Sequence, residues 1–174
     1  MLLTQQFNTV ATQNAARPAL SYLGKETSYG DLRNAVARLS YLFQHDLPRE
    51  ARIAFYARNS PAWVTTFLAL SNTRMPVIPI NPDAPPEVLL PWIKQSKATH
   101  LAVTSDLAAN ARTLLQSVHL HLPIIEIEKK HGGEYDTSYT PAPDNKPLET
   151  DPVLFMRSQG TAASAQLQFF THKQ

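Results

Sequence analysis

Cysteine is absent from the 174 residues. That excludes a disulfide framework, a thiolate nucleophile and a Cys-based metal site, and it fits a reducing compartment. Glycine is scarce, with 5 residues against 14 prolines, a shortage that bears on any loop needing positive φ or close backbone approach to a ligand. No apolar run reaches the roughly 20 residues that span a bilayer. Met1 to Asn14 carries no basic stretch followed by an apolar core, so it does not read as a secretory signal. Lys and Arg form no cluster and the net charge is only +2, so no nucleic-acid partner is expected. A cytoplasmic protein is the expectation.

What is present is globular: 43% of residues are apolar and 17% charged. The length suits one domain with a real core. Helical and strand patterns alternate along the whole chain. Phe7, Val10 and Ala11 mark a first helix, and Ala19 to Leu23 a β-leaning run that stops at Gly24. Leu32, Val36, Leu39 and Phe43 recur at helical spacing, with Asp31 as a possible cap and Pro48 beyond the end. Arg52 to Tyr56 reads as a strand. Ser60-Pro61 is a helix start, because serine accepts a free backbone N–H and proline at the first helical position loses nothing. Trp63, Val64, Phe67 and Leu68 are that helix's expected buried face.

Val77 to Ile80 is a short strand, which Pro76 and Pro79 assign to a sheet edge or a strand end. Asn81-Pro82-Asp83 is a turn. Pro85-Pro86 opens a helix in which Pro91 predicts a kink or an earlier break. His100 to Thr104 is the next strand; Asp106 is expected to cap a helix carrying Leu107, Leu114, Leu115 and Val118; Ile124 to Ile127 is another strand. Residues 131–150 form a polar loop before two apolar runs, Val153 to Met156 and Leu167 to Phe170, joined by a small-residue loop. Such alternation predicts an α/β fold with a mostly parallel sheet flanked by helices. No internal repeat is visible, and residues 1–174 read as a single α/β domain.

Several stretches, in order, resemble the adenylate-forming superfamily of acyl-CoA synthetases, peptide-synthetase adenylation domains and luciferases. Thr27-Ser28-Tyr29-Gly30-Asp31-Leu32 is similar to that family's Thr-Tyr-x-Glu-Leu helix start. Arg52 to Leu70 resembles its strand, Asn-Ser turn and Trp-containing helix, Val77 to Pro82 its Val-x-Pro-Leu-Asn-Pro segment, and Pro86 to Thr104 the helix and strand that follow. The resemblance implies the family's N-terminal subdomain. It also implies a chemistry in which Mg-ATP activates a carboxylic acid to an acyl-adenylate, with pyrophosphate leaving and the acyl group passing to a thiol.

The family's phosphate loop, roughly Tyr-Thr-Ser-Gly-Thr-Thr-Gly-x-Pro-Lys-Gly followed by apolar residues and Thr-His, aligns without a gap on Asp151 to His172. Ser158, Gly160, Thr161, Thr171 and His172 match. Gln159 stands for serine, Ala162 for threonine, Ala163 for glycine, Ala165 for proline, Gln166 for lysine and Leu167 for glycine; Arg74 also stands at a family glycine position. A phosphate loop works by aiming backbone N–H groups and hydroxyls at the anion. Ala163 and Leu167 remove glycine's freedom, and Gln166 offers a neutral amide where lysine brings a full charge. Ser158, Gln159, Gly160, Thr161, Ala162 and Gln166 are therefore a degenerate ATP phosphate loop, set in a hairpin over 151–172, and ATP binding is expected to be reduced or lost. ATP and Mg are the cofactors of the full-length family. The family's acyl pocket, acidic magnesium contacts and C-terminal lysine have no matching positions here, so no catalytic residue is assigned.

Other clusters read blandly. His119 and His121 share a side if extended, with His131, Glu126 and Glu128 near in sequence, but a metal needs further ligands, and solvated histidines are the expectation. Trp63 and Trp92 read as core, Lys129-Lys130-His131 as a wet loop, and Ser158 and Thr161 have no base for nucleophilic catalysis. A full-length active enzyme whose loop tolerates these substitutions ranks last, and two functions stand ahead of it. One is an N-terminal piece of an AMP-forming acid ligase, inactive alone, whose partner is the remaining polypeptide. The other is a free-standing, non-catalytic binding protein on the same scaffold.

Overall fold

The computed structural model describes residues 2–117, 119–127, 147–157 and 167–173. Helix α1 (Leu3–Gln13) is followed by strands β1 (Pro18–Tyr22) and β2 (Lys25–Ser28), an antiparallel hairpin. The strand stops one residue earlier than the apolar run: Leu23 (φ 50°) and Gly24 (φ 75°) both take positive φ and form the turn. Two successive left-handed residues match the twist of a tight hairpin. Gly24 adopts this freely, and Leu23 does so with its side chain 86% exposed.

Helix α2 (Tyr29–Asp46) is capped by Ser28, not Asp31. The Ser28 hydroxyl accepts from the Asp31 N–H at 3.1 Å and donates to the Asp31 carboxylate at 2.7 Å. Asp31 belongs to the first turn, where its charge suits the helix dipole. Gly30 is fixed by close approach: its N–H donates to the Ala15 carbonyl at 2.9 Å, and a Cβ there would meet that oxygen at 3.1 Å.

The rest alternates: β3 (Ile53–Tyr56), α3 (Pro61–Ser71), β4 (Val77–Ile80), α4 (Pro86–Gln95), β5 (His100–Val103), a 3₁₀ turn at Ser105–Leu107, α5 (Ala108–Ser117), β6 (Ile124–Glu126), β7 (Pro152–Arg157) and β8 (Leu167–Thr171). The sheet order is β6-β5-β3-β4-β7-β8, parallel except for β8. The α/β class and the parallel sheet are as the alternation predicts.

The central strands are apolar on both faces because both are covered. Ile53, Phe55, Val77 and Ala102 meet Leu32, Val36, Leu39 and Phe43 of α2 and Leu68 of α3. Ala54, Tyr56, Ile78, Ile80, Leu101 and Val103 meet Leu89, Trp92 and Ile93 of α4 and Leu114 and Leu115 of α5. Each large residue buried in these layers contributes about 1.5–3 kcal/mol. Trp92 is core, and half-buried Trp63 stacks on Phe55 and Phe67. On α3 the burial shifts toward the C-terminal half: Leu68, Ala69 and Leu70 are buried, while Trp63, Val64 and Phe67 are half-buried.

The proline and cap expectations are met in part. β4 lies between β3 and β7, which excludes the sheet edge, while Pro76 just before the strand and Pro79 next to its last residue stand at the strand ends. Pro79 is tolerated there because β7 is in register with β4 only at Val77↔Leu154, short of the proline, while the Pro79 carbonyl accepts the Trp92 indole N–H at 3.2 Å. Helix α4 runs through Pro91 unbroken. Asp106 lies within the 3₁₀ turn and makes no cap hydrogen bond. Val118 and residues 128–146, most of the expected polar loop, lie outside the described residues.

Candidate functional site

β3, β4, β5 and β7 are parallel, so their carboxyl ends line one edge of the sheet. From that edge α3 departs to one face and α4 to the other. Adjacent strands whose continuations leave to opposite faces open a crevice between them, and open α/β sheets take ligands there. In this fold α3 leaves β3 to one face while the helices after its neighbours β4 and β5 leave to the other, so the ends of β3, β4 and β5 frame the place.

Three charged residues gather at it. Arg58 follows β3, Asp83 follows β4 and Asp106 follows β5. The Arg58 guanidinium donates to the Asp83 carboxylate at 2.6 Å and lies 3.9 Å from that of Asp106. The turn holding Asp83 is the expected one: the Asp83 N–H donates to the Asn81 side-chain oxygen at 3.0 Å, and the Ala84 N–H to the Asn81 carbonyl at 3.1 Å. The Tyr56 hydroxyl donates to the Pro82 carbonyl at 3.4 Å, tying this turn to β3. Burial raises the Tyr56 pKa, against the pull of Arg58 and with a smaller push from Asp83. The hydrogen bond to Asp83, then its charge, raises the Arg58 pKa further above its ordinary value. All three charged side chains are more than half exposed.

Ser158, Gln159, Gly160, Thr161, Ala162 and Gln166 lie outside the described residues. Their flanks do not. Arg157 and Leu167 are register partners in the antiparallel β7–β8 pair, and parallel β7 brings Arg157 to the same edge as Arg58 and Asp83. Leu167, which stands where the family has glycine, is half-buried and packs on the α4/α5 side of the core. Thr171 and His172 lie at the opposite end of the hairpin, where Thr171 pairs with Pro152. Motif residues adjacent in the sequence signature are thus divided between the two ends of the sheet.

At that amino end, Arg74 and Asp151 meet through two contacts, 2.9 and 3.1 Å. Asp151 also accepts the Leu148 N–H at 2.8 Å. Arg74, noted in the sequence only as a lost glycine, is therefore one half of a clamp. His172 is 7% exposed and its Nδ1 has no hydrogen-bond partner among the described residues. Burial lowers its pKa, and the Asp151 charge opposes this.

The two histidines near β6 do not act as strand neighbours. His119 has φ 52°, so the alternation that would put it beside His121 does not apply. Both line an open groove of about 660 Å³ between α5 and β6, where Glu126 pairs with Arg112. Among the described residues no group of three or more His, Asp or Glu is placed to hold a metal. No helix of the described residues is long and apolar enough to cross a membrane.

Sequence reasoning missed Arg58 and Asp83, and read Asp106 only as a cap. The available signal was a charged residue shortly after each of three consecutive strands, at the end where a parallel sheet takes ligands.

Comparison with known proteins bears on the family and the fold. The family model described as AMP-binding enzyme matches residues 7–165. The D-alanine–D-alanyl carrier protein ligase of Lacticaseibacillus paracasei is 26% identical over 148 residues, covering 79% of this chain and 29% of that protein. The N-terminal subdomain of NpsA from Klebsiella oxytoca matches with a TM-score of 0.75 at 15% identity, over 99% of this chain and 42% of that one. A benzoate CoA ligase from Burkholderia xenovorans LB400 matches with a TM-score of 0.77 at 16% identity, over 99% of this chain and 35% of that one. The chain thus spans less than half the length of each of these proteins.

Proposed function

This chain belongs to the AMP-binding enzyme family, and from that premise we propose that it is the N-terminal part of an adenylate-forming acid ligase and does not complete the reaction alone. The observation that carries this reading is the donor set at the carboxyl edge. Residues 158–166 hold three hydroxyls and two side-chain amides but no cation. Among the described residues, the edge adds Arg58, already bonded to Asp83, the carboxylates of Asp83 and Asp106, and Arg157 at the end of β7, so no cation stands at the position of the family lysine itself. A triphosphate needs charge-assisted donors, and magnesium needs free carboxylate oxygens near them. These residues do not fit Mg-ATP as an independent site. What the chain supplies is the crevice, the pinned Asn81–Asp83 turn and the strand pair that holds Arg157 opposite Leu167. The expected setting is cytoplasmic.

The test is ATP-dependent pyrophosphate exchange with the isolated chain, together with calorimetric titration of Mg-ATP. No saturable exchange and no heat of binding are expected. Saturable exchange with any carboxylic acid would overturn the reading. The combined change Ala163→Gly with Gln166→Lys should raise nucleotide affinity at least about tenfold, since it adds a charge-assisted bond and restores loop freedom.

The second reading, a non-catalytic protein that binds another polypeptide, is favoured by a separate observation. Met156, Phe169 and Phe170 on the β7–β8 pair are 45%, 61% and 39% exposed. Exposed apolar groups along an edge hairpin suit a protein partner, either the rest of a ligase or another chain. Sedimentation velocity separates the cases: self-association or capture of a supplied remaining ligase segment favours a split enzyme, and a stable monomer indifferent to that segment favours the second reading.

A further inference from the structure

The β7–β8 hairpin packs Phe155 and Leu167 on one face of the sheet and Leu154 on the other, and joins the sheet's hydrogen bonding through β7. Among the described residues β7 is in register with β4 at Val77↔Leu154. At the base of the hairpin Arg74, in the turn before β4, pairs with Asp151, just before β7, and the buried His172, just after β8, lies within the electrostatic reach of Asp151. Backbone bonds close the same corner. The Asp151 N–H donates to the Leu148 carbonyl at 3.0 Å, and the Lys173 N–H to the Glu149 carbonyl at 3.1 Å.

We propose that Arg74, Asp151 and His172 form the seat that registers the β7–β8 hairpin on β4, and that the seat requires neutral His172, so that mild acid loosens the hairpin before the central sheet. The inference goes beyond the nucleotide reading and stands whether or not ATP binds.

The geometry gives the reason. An imidazolium carries two N–H groups, and each must find an acceptor when buried. Nδ1 is buried with none. Asp151 is the near anion, but its two oxygens already take two Arg74 donors and the Leu148 N–H. The other charged groups of this corner are Arg49 and Glu50, which line one pocket with Arg74 and Asp151, and Glu149 and Lys173, held together by their backbone bond. The amino terminus also acts on Glu149, so these groups bring no excess of negative charge that would favour the cation. Burial depresses the His172 pKa, with Asp151 opposing. The sign follows: the unfolded chain binds the proton more readily, so this contribution is complete above the ordinary histidine value and is lost as pH falls through the lower folded one.

The experiment is hydrogen exchange by mass spectrometry on the full chain at about pH 7.5 and pH 5.5, corrected for intrinsic rates. Protection across β7 and β8 is expected to fall severalfold at the lower pH, with about tenfold the ceiling for one histidine, and β3 and β5 should change little. In His172→Phe the differential fall should vanish. An equal fall in that variant, or no differential in the wild type, overturns the proposal. If the variant does not fold, the wild-type imidazole signals decide. His172 should titrate below the ordinary histidine value, in step with the loss of hairpin protection, and titration at or above that value overturns the idea.

Discussion

Arg58–Asp83 and Arg74–Asp151 are the same pair of side chains meeting at opposite ends of one sheet. At the carboxyl end the pair is open: the side chains are 54% and 61% exposed, joined by one hydrogen bond, with Asp106 standing off at 3.9 Å. At the amino end Asp151 is only 12% exposed, and its contacts with Arg74 are double. Exposed ion pairs are screened by water and salt and add little stability. A carboxylate withdrawn from water depends on its partners, and removing one leaves a desolvated charge. The difference teaches a division of labour. The amino end fastens the last hairpin to the fold, whereas the carboxyl end leaves its charges available where ligands meet parallel sheets.

The comparison breaks most visibly at Arg74. Arg74→Ala leaves the Asp151 carboxylate with one backbone donor, and it should cost about 2–4 kcal/mol in urea unfolding. A loss no greater than that of a surface substitution would remove the clamp from the account. Next comes Leu167→Gly. It restores the family residue but strips a half-buried side chain and loosens a strand, at about 1–3 kcal/mol, and by itself it should not confer nucleotide binding. Thermal melts and calorimetry with Mg-ATP check the two parts separately.

Third, acid sharpens the contrast. Stability should decline from the ordinary histidine range downward as His172, depressed by burial, gains its proton. The His172→Phe variant should show a flatter pH profile in chemical denaturation. Smallest is Arg58→Ala, which should leave the thermal midpoint within experimental scatter, and 0.5 M salt should do the same to the wild type. A clear drop with Arg58→Ala would show that the carboxyl-end pair is structural too, and the division of labour would fail.

The local chemistry was legible before any coordinates. Ser60-Pro61 opens α3 as its residue types require, with the Ser60 hydroxyl accepting the Trp63 N–H at 3.2 Å. The apolar blocks at Ile53–Tyr56 and His100–Val103 are strands because continuous burial needs continuous apolarity. The family signature at Ser158 to Gln166 was likewise a matter of residue order, and so was its lack of lysine. Reading went astray where one residue served two neighbourhoods. Pro79 looked like an edge signal, and Asp106 looked like a cap.

The sequence by itself determined the α/β alternation, the parallel sheet, the family likeness and the absence of lysine and arginine from residues 158–166. Each depends on residue type at short range or on ordered motifs. Only the tertiary structure decided that Arg74 clamps Asp151 across 77 positions of chain. It alone also put Arg58 beside Asp83, seated Leu167 in the core and buried His172 without a partner for Nδ1. The physical reason is that strand order, not chain order, sets which side chains share an end of the sheet. The crossover from β4 to β5 and the return of β7 beside β4 are fixed by how the helices cover the two faces, and no short-range pattern carries that information.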